Sequence, residues 1–470
     1  MLFNSIPFLF LFLITYIIYW ASPNKIRKPI LILASIVFYA YNNFWMTFHF
    51  LFIILVNYLF TIILFKRIQT QKSTRFILSI IVILNLINLG FFKYFYFFCN
   101  SIYTIFGIVE VKQFASSIKI FLPLAISFYT FQILALQIDI YRKKIQYLIS
   151  PLDYFLFILF FPQLIAGPIM RSEDFLPKIN HPTLTEDSMK EGILLILTGL
   201  VKKVVIADTI GPILAPLYLE PTGYHSASLF FGVLGFVCQV YCDFSGYSDM
   251  ARGLALLLGY EIPKNFAGPF LASSFSELWG RWHITLSSWL RDYVYIPLGG
   301  NRGGFHKSNW NMLVTMTLGG FWHGANLTYI LWGFYLGVLL WLERLWNYYF
   351  PNQVPLRSAV KVFKIGFTYL LFALSGVFFR AGATGDKSVQ IAWDYFSTML
   401  SFSSGKSLYR TEELWFYVLL TFVFNWIEYS TTWKFPKWVR DIWIPIFSVI
   451  VLLLMGIFGD GGGDFIYFQF

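Results

Sequence analysis

Charge is scarce in this chain. Only 13% of its 470 residues are Asp, Glu, Lys or Arg, against about a quarter in soluble globular domains, while 57% are hydrophobic. A soluble fold of ordinary composition is excluded. Cysteine is also scarce. Cys99, Cys238 and Cys242 offer no disulfide framework, and the latter two sit four apart in an apolar run that reads as helix core. No H-E-x-x-H, G-x-S-x-G, Walker A or dinucleotide fingerprint occurs, which disfavours zinc protease, serine hydrolase, NTPase and dehydrogenase chemistry. Internal repeats, low-complexity linkers and heptads are missing too.

In their place stand apolar runs from the first residues to the last few dozen, and a membrane-crossing helix needs ~20 such residues. The chain therefore reads as an all-α polytopic membrane protein. Its excess of 35 Lys and Arg over 24 Asp and Glu, formally +11, is expected in cytoplasmic loops and says little about nucleic acid. Residues 1–20 are aromatic, lack a basic leader and read as a retained span. Every second loop is then basic: Lys25, Arg27 and Lys28; Lys66, Arg67, Lys72 and Arg75; Arg142, Lys143 and Lys144. Between the first two, a pair of apolar stretches turns near Asn42-Asn43. The positive-inside rule puts these loops in the cytoplasm and the N-terminus outside. Lys434, Lys437 and Arg440 precede a last span over 442–458, so the C-terminus also emerges outside. Residues 155–167, with Pro162 and Gly167-Pro168, and residues 279–300, with Arg281, His283, Arg291 and Asp292, do not read as lipid-facing spans. Broken or polar backbone at membrane depth is tolerated where protein buries it or it lines a wet cavity, which points to a tunnel or funnel. The simplest organisation is one domain, 1–458, followed by a tail, 459–470.

Of six histidines, His49 in an aromatic turn region, His181 and His225 in polar loops, and His306 in a basic loop have bland explanations. His283 and His323 each lie in aromatic, apolar sequence, where an ionisable group is a functional hypothesis by default. A structural histidine bonded between helices is the alternative. Gly319, Gly320 and Gly324 clear side chains from around His323, for a ligand or for close helix packing. Neutral imidazole suits general-base activation of a hydroxyl. With no cysteine or carboxylate at ligand spacing, a metal site is not expected. Chemistry that needs a base and little else fits transfer from an already activated donor, such as a thioester. Lys202, Lys203, Lys264, Arg281, Arg291 and Arg302 can hold the phosphates of coenzyme A or of a phosphopantetheine arm, or simply obey topology. Arg281, two residues from His283, is the exception. Asp243 and Asp249 pair with cations or orient an imidazole; the structural role is the favoured one.

Residues 276–300, SELWGRWHITLSSWLRDYVYIPLGG, resemble the signature of the membrane-bound O-acyltransferase family. The fixed points are Trp282-His283, Leu286-Ser287, Trp289-Leu290-Arg291-Asp292-Tyr293 and Ile296-Pro297-Leu298-Gly299-Gly300. Further likeness lies in Phe128-Tyr129-Thr130-Phe131-Gln132, Phe161-Pro162-Gln163-Leu164, Lys202-Lys203-Val204-Val205, Asp243-Phe244-Ser245-Gly246-Tyr247-Ser248-Asp249 and Trp322-His323-Gly324-Ala325-Asn326. More specifically, the chain resembles the bacterial branch of alginate and peptidoglycan O-acetyltransferases, with teichoic-acid D-alanyl transferases more distant. The resemblance implies a ring of tilted transmembrane and re-entrant helices around a central funnel in the bacterial inner membrane. It implies no bound cofactor, a cytoplasmic acyl donor such as acetyl-CoA or an acyl-carrier thioester, and a polysaccharide hydroxyl acceptor met outside. It also implies His323 as catalytic and His283 as a second active-site residue, with Trp322 and Asn326 in support. Gly280 stands where many relatives have arginine, which puts a cation's role there in doubt.

The tail joins a glycine hinge, Gly459 to Gly463 around Asp460, to Phe465-Ile466-Tyr467-Phe468-Gln469-Phe470. A ring-rich end on a flexible tether can fold back into a groove, and Tyr467 offers a hydroxyl for a buried base. It resembles the C-terminal tyrosine motif of some of these acyltransferases, which implies an acyl relay from donor to Tyr467 to an extracytoplasmic partner enzyme. Interfacial anchoring is the alternative. A transporter or flippase with proton-relay histidines is the rival function.

Overall fold

In the computed structural model the backbone is described for residues 1–165, 167–351, 358–430 and 437–458, and side chains after 430 from residue 443 onward. Tyr467 with the whole 459–470 tail, Lys434, and the side chains of Lys437 and Arg440 lie outside the described residues. Among those described, the structure is helical, apart from an isolated bridge between Tyr224 and Lys406. Among the described residues, four helices are long and apolar enough to cross a bilayer: Phe44–Gln69, Arg75–Phe106, Ser226–Leu257 and Ser358–Leu400. The protein is a multi-pass, all-helical membrane protein. It folds as two compact units, Met1–Ile196 with Met250–Pro263, and Leu197–Asp249 with Lys264–Phe470.

The first unit begins with Ile6–Ala21, capped by Ser5, followed by Asn24–Ala40 and Phe44–Gln69. The turn expected at Asn42-Asn43 is there, and the Asn43 side chain accepts the Met46 N–H at 3.1 Å, satisfying an orphan donor of the next helix. His49 is not in a turn. It lies one turn into Phe44–Gln69, with its ring 4.7 Å from that of Phe92; the helix starts earlier than its aromatic residues suggest because Asn43 caps it. Farther along, Asn57 and Asn85 exchange side-chain amide bonds at 3.2 and 2.8 Å. Gln137 donates to the Asn57 carbonyl at 2.9 Å and the Thr61 hydroxyl at 2.8 Å. Buried amides that face no water need such internal partners. The broken stretch near Pro162 is buried as well: Pro151–Leu159 ends at Phe160, a short turn Phe161–Leu164 follows, and the Gln163 amide donates to the Phe157 carbonyl at 2.9 Å.

In the second unit, residues 279–300 cannot span a bilayer as one rod. They comprise the end of Phe275–Trp279, a turn, Ile284–Leu290, and a widened helical turn Arg291–Tyr295, each only ~7–11 Å long at 1.5 Å per residue. A loop with Gly299, Gly300, Gly303 and Gly304 all at positive φ then reverses the chain into Gly304–His323, a conformation that glycine tolerates. After Gly324 the chain re-enters helix at Leu327–Tyr349, capped by Asn326.

The reciprocal amide pair gives a first prediction. Asn85→Leu strands the buried Asn57 side-chain oxygen, whose amide keeps its bond to the Ile53 carbonyl, and should lower stability by about 1–2 kcal/mol, read as a lower thermal midpoint in detergent. The double variant Asn57→Leu/Asn85→Leu should recover most of that loss.

Candidate functional site

His323 ends the helix Gly304–His323, and the two glycines before it do different work. A Cβ on Gly320 would sit 2.3 Å from the Tyr329 carbonyl oxygen and 2.8 Å from the Gly333 Cα, so Gly320 is the point where this helix crosses Leu327–Tyr349 in backbone contact. A Cβ on Gly319 would instead meet the Leu290 side chain at 2.8 Å, on the wall of a cavity of about 530 Å³. Gly324 is closed off by the Tyr329 ring, 2.2 Å from where its Cβ would be. Both readings of the glycines therefore hold, at different positions. His323 lines the cavity together with Trp279, Gly319, Trp332, Arg291 and Arg344. Its ring is packed edge-on by Trp322 and Trp332 at 5.0 Å and by Phe379 at 5.3 Å, and it is only 4% exposed.

His283 is fixed differently. It precedes Ile284–Leu290 with φ +42° and ψ +54°, a left-handed conformation costly for most side chains but visited by Asn, Asp and His. Its Nδ1 is 3.2 Å from the side-chain oxygen of Asn265, which also accepts from the Thr285 hydroxyl at 2.8 Å and the Thr285 N–H at 3.3 Å. The Asn265 backbone carbonyl accepts the Ile284 N–H at 2.9 Å. An oxygen taking these donors fixes the proton on Nδ1 and leaves Nε2 a bare acceptor. That Nε2 is buried with no hydrogen-bond partner among the described residues. His283 does not line the His323 cavity. Trp322 stands between the imidazoles, 6.2 Å from one ring and 5.0 Å from the other.

The structure does not gather the expected cations at the cavity. Lys202 and Lys203 lie in a widened turn of helix, Val201–Ala207, both buried. Lys202 is held by Asp249 at 2.7 Å, Glu428 at 2.5 Å and the Ser245 hydroxyl at 2.9 Å. Lys203 is held by Asp208 and Asp243, each at 2.7 Å. Asp243 thus meets a lysine. Arg281 donates to Glu277 at 3.1 Å and the Ala267 carbonyl at 2.9 Å and stacks on Tyr429 at 4.1 Å. Arg291 touches the cavity but is chelated by Asp292 at 2.6 and 3.1 Å. Asn326 is occupied locally: its side-chain oxygen accepts from Thr328 and Ser388, and its amide donates to the Gly385 carbonyl. Sequence reasoning missed Asn265, Glu428 and Arg344, since none falls in a motif whose chemistry can be read locally.

Over residues 120–379 the chain matches the membrane-bound O-acyltransferase family. It is 38% identical over 408 residues to the Pseudomonas aeruginosa protein named Probable alginate O-acetylase AlgI, covering 86% of this chain and 76% of that one. The chain belongs to the membrane-bound O-acyltransferase family. Membership makes it an acyltransferase and displaces the transporter reading. The Peptidoglycan O-acetyltransferase of Helicobacter pylori is 34% identical over 414 residues, 81% of this chain and 77% of that one. The Teichoic acid D-alanyltransferase of Streptococcus thermophilus is 31% identical over 241 residues, 47% and 57% of the two chains.

The buried ion pairs generate a second prediction. Lys202→Met leaves Asp249 and Glu428 facing each other without a cation and should cost about 3–5 kcal/mol, seen as loss of folded protein on size-exclusion chromatography. A phosphate-binding role for Lys202 predicts the opposite pattern, a folded enzyme with a raised KM for the donor.

Proposed function

We propose that this protein transfers an acyl group, acetyl by the names of its relatives, from a cytoplasmic thioester to hydroxyls of an extracytoplasmic polysaccharide. The single observation carrying this reading is that His323, of the two aromatic-bound histidines, is the one on the wall of the 530 Å³ cavity. There its imidazole takes the proton of the acceptor hydroxyl as the oxygen attacks the thioester carbonyl, and returns it to the departing thiolate. Aromatic walls exclude water, which protects the thioester from hydrolysis. His283, with its proton held on Nδ1 by Asn265, can accept a proton at Nε2 but has none there to give an oxyanion. We assign it to positioning and proton transfer beside Trp322.

The reading extends to the cell envelope. The enzyme sits in the bacterial cytoplasmic membrane with both termini outside, residues 1–458 forming the acyltransferase domain and 459–470 a tethered motif. A funnel admits the acceptor from outside. In the two-step form the acyl group passes from the donor to Tyr467, with His323 as base, and from acyl-tyrosine to a partner enzyme that acylates the polymer. The relatives' substrates, alginate and peptidoglycan, support a polysaccharide acceptor.

Purified protein in nanodiscs with labelled acetyl-CoA tests both layers. His323→Ala should lower label transfer by about 10²–10⁴; a loss smaller than tenfold removes His323 from the chemistry. Tyr467→Phe keeps the ring and deletes the nucleophile, so surface acetylation should cease in cells carrying it. Undiminished acetylation with that variant refutes the relay and leaves the base assignment standing.

A further inference from the structure

Arg27 lies in the first turn of Asn24–Ala40, and the first unit builds a frame around it. Its Nε donates to the Ser22 carbonyl at 3.1 Å. Its guanidinium carbon stands 4.7 Å from the Trp20 ring centre and 5.3 Å from that of Tyr19. Those two rings meet edge to face, 5.0 Å apart at 83°, so the guanidinium occupies the corner between them. The corner is itself braced. Trp20 Nε1 donates to the Leu257 carbonyl at 3.0 Å, and the Tyr19 hydroxyl lies 3.5 Å from that of Tyr260, which reaches the Ile179 carbonyl at 3.4 Å. All of these residues belong to the first unit. Arginine has five N–H donors; the Ser22 carbonyl takes one, and among the described residues the terminal nitrogens meet no acceptor. The neighbouring Lys28 takes the Asp153 carboxylate. A half-buried guanidinium fixed on aromatic faces, with its fork unmet, calls for an oxyanion.

The surroundings decide which oxyanion. Ile6–Ala21 is an apolar helix. An aromatic pair at its end, followed at once by Lys25, Arg27 and Lys28, sets the turn at the level of lipid headgroups. Exposed apolar side chains lead away from that turn along both helices: Ile14, Ile17 and Ile18 on the first, Ile26 and Leu33 on the second. Inorganic phosphate gains nothing from such a surface, whereas a phospholipid lays its acyl chains on it. Lys25, exposed beside the fork, adds positive charge and disfavours a headgroup that carries its own cation. We infer that Arg27, set in the corner of Tyr19 and Trp20, binds the phosphodiester of an anionic phospholipid whose chains lie against these two helices. The inference goes beyond the proposed function and does not depend on it.

The test is equilibrium binding of dioctanoyl phosphatidylglycerol to the full-length protein in a non-ionic detergent. Wild type should bind it more tightly than dioctanoyl phosphatidylcholine. Arg27→Met should weaken the anionic lipid about 10- to 100-fold, the worth of a hydrogen-bonded charge. Lys72→Met removes an exposed cation of another basic loop and should cost no more than about fivefold, the worth of one charge near a lipid surface. Arg27→Lys, keeping the charge without the fork, should fall between. Glycerophosphoglycerol, the same headgroup without chains, should bind wild type more than about tenfold more weakly than the lipid. Equal affinity for this headgroup alone overturns the lipid in favour of a plain anion site. Equal losses in Arg27→Met and Lys72→Met reduce Arg27 to one loop charge among several and overturn the site. Should Arg27→Met elute as misfolded protein on size-exclusion chromatography, wild type alone decides, since equal binding of the two lipids by wild type overturns the inference.

Discussion

A charge removed from water must be met by a counter-charge or by several fixed dipoles, and a protein with few charges embedded in hydrocarbon has little freedom in where to place them. The second unit satisfies this condition by pairing. Two adjacent lysines in one widened helical turn each face two carboxylates, drawn from 208, 243, 249 and 428. Glu428 shares itself further by accepting the Gly268 N–H at 2.9 Å. That bond anchors the loop in which Asn265 lies, three residues earlier. Asn265 in turn holds His283 in its left-handed conformation and its tautomer. The ion pairs thus bear on His283 through the backbone they fix.

The same logic explains why the two histidines differ although their sequence surroundings are alike. Each is wrapped in aromatic rings, and each is more than nine-tenths buried. One is locked by a neutral amide with its only free nitrogen facing protein. The other ends a helix whose glycine-bearing side opens on a cavity, while the neighbouring glycine lets a second helix close behind it. Steric emptiness on one side and backbone contact on the other, one residue apart in sequence, create a wall with an imidazole at its edge.

Much of this was readable before any coordinates. Helical class, the turn at Asn42-Asn43, the buried break near Pro162 and the non-spanning character of 279–300 follow from period, composition and the rule that polar backbone avoids lipid. The importance of Gly319 and Gly320 was legible, but not their division of labour, because a glycine's neighbours are set by helix rotation that the sequence does not state. The ion-pair partners of Lys202 and Lys203 are not legible for a related reason. Their four carboxylates lie between 5 and 226 residues away, and no local pattern links residue 202 to residue 428. Asn265 and Arg344 were invisible because an asparagine in a loop and an arginine near a helix end are common, and only their acceptors and donors make them informative.

The tail and the cavity pose one chemical problem from two sides. A base in a water-poor cleft accelerates acyl transfer to whatever hydroxyl reaches it, so selectivity must come from geometry rather than from the base. On the acceptor side, a cavity of about 530 Å³ lies within the range of small-molecule sites. In the proposed relay, the Tyr467 hydroxyl would be the acceptor presented to that base. Handing the acyl group onward through a side chain, as proposed, would leave the geometry at His323 to select the hydroxyl of that side chain and the partner enzyme to select the polymer.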